Sequence, residues 1–442
     1  MKPRVVKEFL LYLSISILVI VVLTAAAGKA ASRLPQDTTE SLRSWIKQSP
    51  ANRFDDWMDG VVIANILYKS IDAEHSLWTY FGPSCAPPAG WELLEYVLSP
   101  KNHDSLSDSV KNRKGGFLHR YWTGHIVLTS LALYIYGDPG IASKAAMGCV
   151  LFSMLVYVIA WKKRLGFGGA AIVAAMLLGS GTLYIESFHT HAWGLAVAFL
   201  TAAYVARQLE TGRSYIPPAV VGAVFANWVG YDYVFPTLAF SLPLFLHRKQ
   251  AEIDIVDLSV PLKFVLTFLS VTGIMMILRI PIAYFFENCP PSEFLSQLTE
   301  RLSYRLQGGD FPQEVSQGVE VSRKLAIMSA LPAVNTYLFN LGGRFIPLIG
   351  SIISYVAYQA LPVMIFTGIL IFKNRARQMQ ALRTALVIAC SVLLFHLMLI
   401  LLVNHACVHP WMHARYMIFS LVLSWGAVIS ALGRSGTANE IQ

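Results

Sequence analysis

Residues 121–136 read Tyr121-Trp-Thr-Gly-His-Ile-Val-Leu-Thr-Ser-Leu-Ala-Leu-Tyr-Ile-Tyr136, an apolar stretch without a charged side chain. Whether this stretch crosses a bilayer sets the sidedness of everything after it. A hydrocarbon core about 30 Å thick needs roughly 20 apolar residues in a helix, so length alone does not decide. The basic loops do. Short loops rich in Lys and Arg stay in the cytoplasm. Here they occur at Lys162-Lys163-Arg164, at Arg207 with Arg213, at His247-Arg248-Lys249, from Lys373 to Arg377, and at Arg434. A crossing at 121–136 puts the first cluster outside and misplaces each later one. A helix lying flat on the outer surface puts all of them inside, and this interfacial helix is the expectation.

Outward from that segment, apolar runs fall at 9–28, 140–161, 166–185, 190–206, 216–231, 233–246, 258–285, 346–372, 382–403 and 414–433. They predict ten spans in one integral membrane domain over residues 1–442, all-α, with both chain ends in the cytoplasm. Residues 29–139 form a first outer loop with juxtamembrane helices, and 286–345 form a second. Spans two to seven occupy 140–285, and spans eight to ten occupy 346–433. The first run follows Lys2, Arg4 and Lys7, a pattern shared with signal peptides. Ala26-Ala27-Gly28-Lys29-Ala30 is a poor cleavage site, however, so an uncleaved span is expected. In the second outer loop, Ser292 to Leu306 reads as an amphipathic helix and Leu325 to Leu341 as an interfacial run.

Composition excludes whole classes of function. Of 442 residues, 55% are hydrophobic and 14% charged, and the mean hydropathy is +0.52. Soluble domains carry about 25% charged residues, so polar surface is too scarce for a soluble enzyme or a disordered chain. The net charge of +9 reflects loops retained in the cytoplasm rather than nucleic-acid binding. The five cysteines have no metal-ligand spacing. Cys149 and Cys390 read as small packing residues, whereas Cys85 and Cys289 lie in outer loops where a disulfide is chemically permitted.

This orientation gathers the polar chemistry on the outer face. Nine of eleven histidines fall at or beyond the outer boundary. Three aspartates, Asp55, Asp56 and Asp59, follow the first span. One of them suffices as a helix cap; paired carboxylates raise each other's pKa and suit general-base work. His119, Arg120, Tyr121 and Trp122 open the flat helix, either as an interfacial anchor or as a rim for a lipid-phosphate headgroup. Glu186, His189 and His191 open the fourth span; they suit polar cavity lining, and a divalent metal is the other option. Asp232 stands between Tyr231 and Tyr233. Arg279 lies near the outer end of the seventh span, either snorkelling to headgroups or facing a cavity. His405, His409 and Arg415 border the last span. Carboxylates beside guanidinium groups suit a phosphorylated substrate.

The order of these features resembles the GT-C superfamily of polytopic glycosyltransferases, in particular the protein O-mannosyltransferase and lipid A aminoarabinose transferase branch. The likeness covers roughly residues 1–250. It rests on Asp55-Asp56 before Ile63-Ala64-Asn65-Ile66-Leu67-Tyr68, on the flat aromatic helix, and on Gly137-Asp138 before a span ending at Lys162-Lys163-Arg164. Where that branch has His-Pro-Pro-aromatic, this chain has His119-Arg120-Tyr121-Trp122; where it has Ser-Arg-x-Ala-Arg, this chain has Ser187-Phe188-His189-Thr190-His191. The pattern Asn404, His405, His409, Arg415 is also similar to one in uncharacterised bacterial membrane proteins.

The resemblance implies an inverting transfer of a sugar from a polyprenyl-phosphate donor to a lipid, glycan or protein acceptor. The transfer would occur on the periplasmic side of a bacterial inner membrane, among membrane lipids, with a divalent metal as the one candidate cofactor. Asp55 or Asp56 would be the general base, and Arg279, Arg120 or Arg415 would stabilise the leaving phosphate. A transporter or flippase of a lipid-linked sugar is the rival reading. It would place charges near mid-membrane and show internal repeats, and no clear repeat is visible. A non-catalytic scaffold has little reason to collect acids, arginines and histidines on one face.

Overall fold

The structure is a computed structural model. It describes residues 3–31, 41, 42, 44, 62, 65, 66, 78–81, 84, 85, 117, 118, 122, 124–180, 190–249, 252–255, 257–287, 289–307, 360–401 and 410–433. The helices among these are α1 (Pro3–Ala31), α2 (Gly124–Tyr136), α3 (Pro139–Leu165), α4 (Phe167–Gly179), α5 (Thr190–Glu210), α6 (Ile216–Val229) and α7 (Val234–Ser241). They continue with α8 (Ser259–Glu287), α9 (Pro291–Gln307), α10 (Leu361–Lys373), α11 (Gln378–Leu401) and α12 (Pro410–Leu432). Two short antiparallel ladders, β1 (Ser84–Cys85) with β2 (Phe117–Leu118) and β3 (His247–Lys249) with β4 (Glu252–Asp254), and 3₁₀ turns at Thr79–Phe81, Tyr231–Tyr233, Leu242–Phe245 and Arg375–Arg377 accompany them. Among the described residues five helices are long and apolar enough to cross a bilayer: Pro3–Ala30, Pro139–Leu165, Ala192–Glu210, Ser259–Phe286 and Gln378–Met398. The chain is an all-α membrane protein.

Local chemistry explains where the helices start and stop. Asp138 caps α3 by accepting from the Ile141 amide at 2.8 Å, with Pro139 at the first helical position, where the lost N–H matters least. Gly166 (φ 97°) separates α3 from α4, a conformation that L side chains resist. Asp257 starts α8, accepting from the amide and hydroxyl of Ser259 at 2.8 and 2.6 Å. The segment expected as a sixth short span is α7 followed by a 3₁₀ turn, Leu242–Phe245, with Pro243 inside it; both pieces are buried.

The basic turns meet at one end of the bundle. Arg164 Nε donates to the carbonyls of Leu244 and Leu246 at 3.0 and 3.1 Å, tying the end of α3 to the turn before β3. Lys163 lies 3.9 Å from Glu210 at the end of α5. Arg248 donates to the Gly433 carbonyl and Lys373 to that of Ala431, so cations from β3 and α10 close the last turn of α12, where free carbonyls attract positive charge. Gln380 donates to Asp254 and to the Ile255 carbonyl.

That clustering fixes the lie of α2. α3 has 27 residues, about 40 Å at 1.5 Å per residue, and ends at Arg164 in the basic cluster, so it starts at the far end. Tyr136 is joined to that start through Gly137 and Asp138 alone. The other end of α2 meets the far end of α6, where Gly124 presses on Trp228 and His125 bonds to the Val229 carbonyl. Both ends of α2 lie away from the basic turns, and the helix does not return to them. Its first ten residues are mostly buried, whereas Tyr134, Ile135 and Tyr136 are exposed.

The core is an aromatic stack around Phe240 of α7. Its ring centroid lies 4.8 Å from Phe199, 5.2 Å from Phe419, 5.4 Å from Tyr157 and 5.6 Å from Phe395. Four helices, α3, α5, α11 and α12, thus pack on α7 through edge and tilted ring contacts, which add to simple area burial. α4 approaches α12 so closely that a Cβ on Gly169 would lie 1.8 Å from Ser430 Oγ. Small residues allow such backbone approach between membrane helices.

Candidate functional site

Arg279 is the most informative side chain of the far end. Along α8, Phe264, Phe268, Val271, Met275, Arg279 and Ala283 are all buried, a repeat of three and four residues that marks one inward face. Arg279 therefore occupies a core position, with 1% of its surface exposed. It is buried rather than extended to the surface. Thr272, two turns earlier on the same helix, accepts from Asn227 Nδ2 of α6 at 3.0 Å. The guanidinium of Arg279 stands over the Trp122 ring, 5.9 Å from its centroid, within cation–π range.

Trp122 reaches that position because the chain entering α2 presses against α6. A Cβ on Gly124 would lie 2.4 Å from the Trp228 carbonyl oxygen and 2.5 Å from its ring. α2 is then pinned by polar groups along its buried half. His125 Nδ1 meets the Val229 carbonyl at 3.0 Å, which places the proton on Nδ1. Trp193 Nε1 of α5 donates to Thr129 Oγ1 at 3.1 Å, and the Tyr80 hydroxyl lies 2.5 Å from Ser130 Oγ. Burial pushes the Tyr80 phenol well above the usual tyrosine range, against the smaller opposing pull of the Ser130 bond. Phe81 stacks on Phe286 at the end of α8, 5.4 Å between centroids. The turn Tyr231–Tyr233 follows α6, with Asp232 half-buried and Tyr233 buried under Gly194.

Of the residues singled out in the sequence, Asp232 and Arg279 are both at this end. His191 lies in the first turn of α5 and Arg415 in the second turn of α12, and both helices run from this end toward the basic turns. Asp55, Asp56, Asp59, His119, Arg120, Tyr121, Glu186, His189, His405 and His409 lie outside the described residues, as does the run Leu325 to Leu341. Cys289 is buried with Ala283 and Phe294 where α8 meets α9. No group of three His, Cys, Asp or Glu side chains with metal-binding geometry occurs among the described residues.

Sequence reasoning passed over Tyr80, Thr129, Ser130 and Trp193. The available signal was the polar pair Thr129-Ser130 inside an apolar helix, which needs partners once buried. Compared with protein-family models, with curated proteins and with solved structures, the chain shows no match in any of the three. The chemistry of the far end therefore rests on its own residues: a buried cation, an indole beneath it, and a helix pinned by hydrogen bonds after that indole.

Proposed function

We propose that this chain is a ten-span glycosyltransferase of GT-C type that moves a sugar from a polyprenyl-phosphate donor to an acceptor outside the cytoplasm. The observation that carries the reading is Arg279, buried over the Trp122 ring at the end opposite the basic turns. A buried guanidinium is costly to keep unless it serves an ion pair or a ligand, and its planar fork matches phosphate. The retention of basic turns in the cytoplasm supports an outward-facing site.

In this reading Asp55 or Asp56 takes the proton from the acceptor hydroxyl. The freed oxygen attacks C1 of the sugar from the side opposite the phosphate, the C1–O bond to phosphate breaks, and the configuration inverts. The departing phosphate gains charge in the transition state, and a preorganised cation lowers the barrier most there. Arg279 fills that role, with Arg120 and Arg415 as the other candidate cations.

The test is sugar transfer in proteoliposomes carrying a sugar-loaded prenyl phosphate and a mixed acceptor extract. The Asp55→Asn/Asp56→Asn double variant is expected to lose activity by at least about a hundredfold at unchanged expression and detergent stability. Full transfer by that variant removes the base assignment. Movement of the lipid-linked sugar across the bilayer with no glycosylated product favours the transporter reading.

A further inference from the structure

Two exposed phenylalanines stand at the basic end of the bundle, and each has a cation over its ring. Lys162 Nζ, in the last turn of α3, lies 5.7 Å from the centroid of Phe167 at the start of α4. The Arg375 guanidinium lies 4.9 Å from that of Phe372, near the end of α10. Phe167 is 72% exposed and Phe372 69%. The two pairs flank the end of α12. Arg248 lies between Gly166, the residue before Phe167, and Gly433, while Lys373, the residue after Phe372, donates to the Ala431 carbonyl.

Both cations end a stripe of apolar side chains that faces out of the bundle. On α3 the exposed residues Phe152, Leu155 and Ile159 lead to Lys162; on α10 Leu361, Met364 and Phe372 lead to Arg375. Steps of three, four and eight residues keep each set on one helix face. In a bilayer such a face lies against acyl chains, with the cation at headgroup level. The acids of these turns are engaged with other groups. Glu210 lies 3.9 Å from Lys163, Glu252 meets the Asn374 side-chain amide at 2.8 Å, Asp254 accepts from Gln380 and Asp257 from Ser259. Among the described residues no ion pair includes Lys162 or Arg375. An acidic polypeptide would meet the two charges and leave the apolar stripes bare. An acidic phospholipid meets both.

We propose that these two seats bind acidic phospholipids of the leaflet on the side of the basic turns. Each cation takes one headgroup phosphate, and the acyl chains lie along the stripe. The ring holds the cation at the bilayer edge by cation–π attraction, so less side-chain freedom is lost when the phosphate arrives. Lipid binding here is independent of sugar transfer at the far end.

The full chain in detergent micelles is titrated with phosphatidylglycerol, and bound lipid is counted by native mass spectrometry. Two phosphatidylglycerols are expected to bind about fivefold more tightly than phosphatidylcholine. Lys162→Gln and Arg375→Gln are each expected to remove one tight site, and the double variant both. Lys162→Arg and Arg375→Lys keep the charge and are expected to keep both sites, which separates loss of charge from loss of structure. Phe167→Leu and Phe372→Leu keep an apolar side chain without a ring and are expected to weaken their own site about threefold. Unchanged phosphatidylglycerol binding in the double Gln variant overturns the proposal, and so does equal affinity for phosphatidylcholine.

Two soluble probes test the class of partner. Glycerol phosphate has the headgroup chemistry without acyl chains and is expected to compete far less well than the lipid. Equal competition means that the stripes contribute nothing and overturns the lipid assignment. A poly-glutamate peptide is expected to leave the lipid bound; displacement at matching concentration assigns the seats to an acidic polypeptide instead.

Discussion

His247, at the start of the hairpin that joins the basic turns, carries its own pH dependence. Burial lowers its pKa below 6.5, and the neighbouring Arg164 and Lys249 charges lower it further, against the smaller upward pull of Asp254. Between the folded and unfolded values the unfolded chain binds more protons, so stability rises with pH across that window. The neutral imidazole contributes fully above about 6.5, and the contribution is lost as pH falls through the lowered folded value. Melting temperature in detergent is expected to drop on acidification below pH 6.5, and His247→Gln is expected to flatten that slope. An unaltered slope in the variant assigns the acid sensitivity elsewhere. Arg279 and Asp232 were legible in the sequence because a charge inside an apolar run stands out. Tyr80, Thr129 and Trp193 were not. Each is ordinary among its neighbours, and its meaning comes from a partner far along the chain: Tyr80 and Ser130 are 50 residues apart, Thr129 and Trp193 are 64 apart, and His125 and Val229 are 104 apart. The acidic residues of the first outer loop were read as chemistry from their spacing alone, and they lie outside the described residues.

At the scale of elements, hydropathy located the helices well because the bilayer requires backbone groups to be satisfied within each segment. The expected run 140–161 is Pro139–Leu165, and 258–285 is Ser259–Glu287. The ends of the first are longer because Asp138 caps its start and Lys162, Lys163 and Arg164 carry its last turn past the apolar stretch. Within the expected 166–185, α4 runs from Phe167 to Gly179 and a turn follows at Ser180, whose hydroxyl bonds back to Leu177; residues 181–185 lie outside the described residues. The amphipathic helix expected at Ser292 to Leu306 is Pro291–Gln307, its boundaries set by Pro290-Pro291 and its polar–apolar alternation. The lie of α2 depends on close contact at Gly124, which hydropathy does not register. Gly124→Ala forces a Cβ against the Trp228 backbone, and overpacking of this kind typically destabilises by about 1–3 kcal/mol. The expected outcome is a lower unfolding temperature together with weaker protection of α2 amides in hydrogen exchange. Unchanged protection counts against the tight seating of α2.

For the whole molecule, the sidedness inferred from basic loops has a direct test. In a cysteine-free background, Tyr136→Cys and Lys163→Cys bracket α3, and both positions are exposed. An impermeant thiol reagent is expected to label Tyr136→Cys from outside intact cells and Lys163→Cys only after permeabilisation. Labelling of Lys163→Cys in intact cells inverts the arrangement and removes the outward site. The close seam between α4 and α12, where Gly169 faces Gly426 and Ser430, bears on how the protein is made. α4 has 13 residues, too few to hold a transmembrane position unaided, and the surface it fits is made about 230 residues later. While those residues are being made α4 waits without its mate, so nascent chains stalled before residue 410 are the forms that quality-control proteases should clear first.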